Sequence, residues 1–158
     1  LHSVLVTGMF CYGLDGTMIW ARHNCPGSWN DGEMSRGLQL KMCIPLLVGA
    51  GMKLASDSAF PVRGDMEGKI VTPLKDGDID RVPPESRLAM QAMSDSITSL
   101  RQAAEWGMGA ACKVYRQLML PLPFNPQIRA KRLTNIFQLY NFRVRRTGIS
   151  QIKTVFNA

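Results

Sequence analysis

The sequence predicts a mixed α/β fold, and three observations carry that prediction. Two apolar, β-branched arms flank the turn Gly13-Leu14-Asp15-Gly16. A short apolar run ends at Asp57, ahead of a Pro-containing loop. Two long helical periodicities then fill the second half of the chain. Strands first and helices later argue for a sheet with flanking helices.

Each element has a local cause. Ser3 to Tyr12 is rich in Val, Phe and Tyr and apolar on both alternating faces, which predicts a strand buried on both sides. Asp15-Gly16 supplies the positive-φ position of a hairpin, and Thr17 to Ala21 returns as its second arm. Asn24 to Asn30 carries Pro and Gly and reads as a loop. Asp31 to Met42 has helical spacing, with Ser28 or Asn30 as the cap. Residues 63–84 are rich in Gly, Asp and Pro and read as one long irregular connection. A helix follows from about Glu85 to about Lys113, with Ile97, Leu100, Ala104 and Ala111 on its core face. After Pro121-Leu122-Pro123 a last helix runs from about Gln127 to Arg146, its apolar stripe being Leu133, Ile136, Phe137, Tyr140 and Val144.

The chain has 158 residues, of which 46% are hydrophobic and 20% charged, a globular and not a disordered composition. Its longest apolar stretch, Met42 to Met52, contains Pro45, Gly49 and Gly51. It falls far short of the ~20 residues of a spanning helix, so no membrane partner is expected. No basic–apolar–small pattern opens the chain as a secretory signal would. The four cysteines are scattered without C-x-x-C pairing and read as free thiols.

Charge is unevenly placed. Residues 1–100 hold nine Lys/Arg against eleven Asp/Glu, whereas residues 101–158 hold ten bases and a single acid, Glu105. On the last helix Arg129, Arg132, Arg143 and Arg146 fall within an arc of about 100° beside the apolar stripe. With Arg101, Lys113 and Arg116 they form a set suited to phosphates, and nucleic acid is the expected partner.

Two acids stand out by position. Asp57 ends a strand and Glu105 lies mid-helix, so two carboxylates from separate elements meet the hard-oxygen preference of Mg²⁺ or Mn²⁺. Spacing alone leaves the bland reading open: Asp57 caps a turn and Glu105 pairs with Arg101 one turn away. Asp31 is a third candidate, with helix capping as the competing role. Asp15 reads as turn chemistry. His2 and His23 lack ligand-spaced partners. Trp29 and Trp106 offer rings for base stacking, with packing as the alternative.

Three blocks, in order, resemble the DDE-type transposases, and more narrowly the PIF/Harbinger group with its derived nucleases. They are Pro26-Gly27-Ser28 with Asp31, Asp57-Ser58 with Phe60-Pro61, and Arg101 with Glu105 and Gly109. Phe60 stands where the family often has Tyr. The tail LYNFRVRRTGISQIKTVF is also similar to such elements.

The resemblance implies an RNase H-like mixed sheet with flanking helices. Residues 1–120 would form the endonuclease domain, and 121–158 a basic helix and tail packed on it. It also implies a metal-dependent DNA endonuclease or transposase, with Asp57 and Glu105 as the last two of three catalytic carboxylates. The first would precede the hairpin; as the chain opens at Leu1, that strand and its aspartate are expected upstream. A decayed or domesticated fragment that binds DNA or protein without cutting is the alternative. DNA, a separate DNA-binding partner protein and a nuclear location follow from the resemblance, although no dense basic run marks an import signal. Nothing in the sequence sets an oligomeric state.

Overall fold

The computed structural model describes residues 5–58, 60, 62, 64–148, 152 and 154. Ser3 and Val4, which the sequence assigns to the first strand, and Pro61, His2 and most of the tail beyond Gly148 lie outside that set. The fold is mixed α/β, with helices α1 (Asp31–Met42), α2 (Pro84–Val114) and α3 (Pro126–Thr147). Strands β1 (Val6–Tyr12) and β2 (Met18–Pro26) pair antiparallel, and β3 (Leu54–Ala55) and β4 (Ile70–Val71) pair parallel. The chain divides into two compact units, one of residues 1–34 with 103–158 and the other of residues 35–102.

In the first unit the hairpin turns where Asp15-Gly16 was expected to turn it. Asp15 Oδ1 accepts from Thr17 N at 2.9 Å and from Thr17 Oγ1 at 2.7 Å, and Gly16 takes φ 82°. The second arm is longer than the sequence indicates. It runs to Pro26 because a bulge absorbs one residue: Thr7 faces Cys25 but Met9 faces Arg22. Asn24 sits in that bulge at φ 60°, a left-handed conformation that Asn tolerates better than most residues. Strand β1 is not buried on both faces, since only Cys11 among its residues is buried. Among the described residues it pairs with β2 alone, so its second edge has no strand beside it.

Helix α3 closes this unit, and the five residues of its predicted apolar stripe are all buried. Asn125 caps its start, accepting from Gln127 N at 2.9 Å and Ile128 N at 3.1 Å, with Pro126 in the first turn where its missing N–H costs nothing. Gly148 ends it at φ 63°. Phe137 meets Phe10 edge-on, with centroids 4.8 Å apart. The Asn141 side chain acts as a strand partner for β2: Oδ1 accepts from Met18 N and Nδ2 donates to Met18 O, both at 2.8 Å. Residues 103–114 of α2 complete the core through Ala111, which is fully buried, and Gly107, which lies against the Tyr12 ring.

In the second unit, β3 and β4 pair through Leu54–Ile70 and Ala55–Val71. The connection expected over 63–84 is therefore partly ordered, with β4 and one-turn 3-10 helices at Gly64–Met66 and Asp78–Arg81. A two-residue parallel strand is too short to leave a period in the sequence; pairing across the chain makes it. Met42, Phe60, Met66, Ile70 and Ile97 are buried here. Ser94 is buried as well, and its Oγ accepts from Leu74 N at 3.0 Å. On α2 the core face differs slightly from expectation. Ile97 and Ala111 are buried, but Leu100 is exposed, Ala104 is half-buried, and Ala103 is buried in its stead. Among the described residues no helix is long and apolar enough to cross a membrane.

Candidate functional site

Asp57 follows directly on the β3–β4 pairing, which Ser56 N extends by donating to Val71 O at 2.9 Å. It is half-buried, and its backbone carbonyl accepts from Phe60 N at 3.2 Å, so a turn opens at Asp57. Glu105 stands exposed on α2, with Arg101 half-buried one turn earlier. Asp57 belongs to the second unit and Glu105 to the first. Among the described residues no group of three or more His, Cys, Asp or Glu is arranged to hold a metal ion. Asp57 and Glu105 are chemically apt oxygen donors, but this chain's described residues supply at most part of a coordination shell.

The Pro26-Gly27-Ser28 loop and Asp31 have legible structural work. Gly27 N donates to Leu5 O at 3.1 Å, and a Cβ on Gly27 would lie 2.9 Å from that oxygen, so the chain can pass this closely only at glycine. Asn30, not Asp31, caps α1: its Oδ1 accepts from Glu33 N at 2.9 Å. Asp31 is instead the first helical residue, where its charge complements the helix dipole. Trp29 lies under the Arg22 guanidinium, 4.7 Å from ring centre to Cζ, and Arg22 also donates to Glu33 O at 3.0 Å. That cation–π contact gives the ring a packing role, and nothing in the sequence around Arg22 signals it.

The basic residues separate into two kinds. Arg129 is turned inward: Nε donates to Asn24 Oδ1, and Nη1 donates to Pro123 O at 3.1 Å and Phe124 O at 3.2 Å. Asn24 Nδ2 in turn donates to Pro126 O at 3.0 Å. The pair clamps the β2 bulge to the start of α3, so Arg129 is a positioning residue with few donors left for phosphate. Lys113, Arg116, Arg132 and Arg146 are exposed, and Arg143 is half-buried. Helix α3 carries six Lys/Arg and no acid.

A shallow cleft of about 200 Å³ lies between β2 and α3, with Trp20, His23, Phe137 and Gln138 among its lining. His23 Nε2 is 3.3 Å from Thr134 Oγ1, and its Nδ1 is buried with no hydrogen-bond partner among the described residues. Burial pulls the His23 pKa below its ordinary value of 6.5, favouring the neutral ring. Cys11 is buried too, and desolvation pushes its thiol up to about 11, which makes it an inert packing residue.

Against protein-family models, characterised proteins and solved structures, the chain finds no match.

Proposed function

We propose that this chain carries catalytic residues of a metal-dependent DNA endonuclease of the DDE type, related to the PIF/Harbinger transposases. The observation that carries the reading is the order of its three blocks, with Asp57 two residues past β3 and Glu105 within α2. The RNase H-like form of the sheet belongs to the same proposal. Asp57 and Glu105 would hold Mg²⁺ or Mn²⁺ together with a third carboxylate. Such ions, when bound, activate the attacking oxygen and stabilise the leaving oxygen of a phosphodiester. Lys113, Arg116, Arg132, Arg143 and Arg146 would draw the DNA backbone without reading its sequence. DNA as substrate, a nuclear site of action and a separate DNA-binding partner stand or fall with this reading.

The test is nicking of supercoiled plasmid in Mg²⁺ or Mn²⁺ by the protein. Activity is expected to fall to background in Asp57→Ala and in Glu105→Ala while DNA binding persists. Nicking that survives either substitution overturns the assignment. A second reading, a DNA-binding module that does not cut, is favoured by the net +9 of residues 101–158. It prevails if the unsubstituted protein binds DNA, with affinity falling steeply as salt rises, yet nicks in neither metal.

A further inference from the structure

We propose that the outer face of α3 is a docking surface for an acidic amphipathic helix of a partner protein. Ile128, Arg132, Asn135, Leu139, Phe142 and Arg146 follow one another at alternating steps of four and three residues. At 100° per residue they fall within an arc of about 80°, its centre about 130° from that of the buried stripe. All six are exposed, Ile128 and Leu139 at 54% and Phe142 at 67%. Packing on the hairpin therefore leaves a second apolar seam on α3 unburied.

Three features fix the occupant. The four–three alternation is the repeat with which one helix reads another, and it runs about 27 Å along the axis, more than a loop would follow. Helix α3 has six bases and no acid, and Arg132 and Arg146 form no ion pair among the described residues. A neutral or basic partner would bury these guanidinium groups uncompensated, whereas Glu side chains flanking a partner's apolar seam would meet them. A phosphate backbone satisfies the arginines but gains nothing from Ile128, Leu139 and Phe142. The seam spans fewer than three heptads, so the affinity is modest and depends on salt. Docking here does not require the carboxylate reading. It does place the partner over Arg132 and Arg146, so the partner and DNA compete for them.

The experiment uses the whole chain and three fluorescent probes: a three-heptad peptide with Leu/Ile in its seam and Glu at the flanking positions, the same peptide with Lys for Glu, and a short DNA duplex. The Glu peptide is expected to bind and the Lys peptide not to. The double substitution Leu139→Ser with Phe142→Ser, on exposed positions that leave the thermal melt unchanged, should weaken the Glu peptide at least about tenfold and DNA less than about twofold. Arg132→Glu with Arg146→Glu should reverse the preference between the peptides. A Glu peptide that does not bind, or that ignores the Leu139/Phe142 substitutions, overturns the proposal. So does a concentration-dependent dimer of the unsubstituted chain that those substitutions abolish, which would assign the face to a second copy.

Discussion

Two glycines on α2, two residues apart, should respond in opposite directions to the same substitution. A Cβ built on Gly107 lies 2.6 Å from Cε1, 2.8 Å from Cζ and 3.0 Å from Cδ1 of Tyr12. At Gly109 it meets nothing within 4 Å. Both sit inside a helix, where Ala is favoured over Gly by ~1 kcal/mol. At Gly107 that gain is opposed by overpacking, typically ~1–3 kcal/mol. The Tyr12 ring has little freedom to yield, since it stands edge-on to buried Tyr140 with centroids 6.3 Å apart and its hydroxyl is buried without a partner among the described residues. Gly109→Ala should then stabilise by up to ~1 kcal/mol, and Gly107→Ala should be neutral or destabilise by up to ~2 kcal/mol. Urea unfolding followed by tryptophan fluorescence isolates the effect, because Trp20, Trp29 and Trp106 all belong to the first unit. In a Tyr12→Leu background the difference between the two alanine variants should shrink. Equal gains at both glycines in the unsubstituted background would refute the packing argument.

Asn141→Ala removes both bonds to Met18 and leaves a half-buried backbone N–H and C=O unpaired, so unfolding in urea should show a loss of ~1–3 kcal/mol. Asn141→Asp keeps the acceptor and loses the donor; if it unfolds no earlier than the parent, the bond to Met18 O is unimportant. His23 gives a pH signature. Its folded pKa lies below 6.5, so between those values the unfolded chain binds a proton that the folded chain refuses. Stability attributable to His23 is thus complete above about pH 6.5 and is lost as pH falls toward the folded pKa. The fall in Tm from pH 7 to pH 5 should be shallower in His23→Gln, and parallel curves would show that the ring is not the sensor.

What was legible in the sequence depended on how local its cause was. Helix α3 is legible almost to the residue, because its stripe of Leu133, Ile136, Phe137, Tyr140 and Val144 is written in consecutive turns. The Asp15-Gly16 turn was equally plain, being contained within four residues. The bulge at Asn24 was not. Its reason lies about a hundred residues away, in Arg129 and the carbonyl of Pro126. β4 escaped for the same cause, since Ile70 and Val71 become a strand only against Leu54 and Ala55. The three-block pattern points to Gly109, while the glycine that packs is Gly107, and only the position of Tyr12 distinguishes them.

The same distinction bears on charge. The sequence treats the bases of residues 101–158 as one reservoir around Glu105, and by count they are. The structure divides them by what each guanidinium touches. Arg129 holds the hairpin to α3, whereas Arg132 and Arg146 face solvent in a seam that also exposes Leu139 and Phe142. A charge that bonds within the fold contributes to stability and little to recognition, so Arg129→Ala should loosen the β2 bulge before it weakens binding to any polyanion. A charge set among exposed apolar side chains favours a ligand that is both acidic and apolar. The strong basic imbalance is therefore compatible with two recognition tasks on one helix. The exposed apolar residues between the arginines, and not the charge count, indicate which of the two α3 is shaped for.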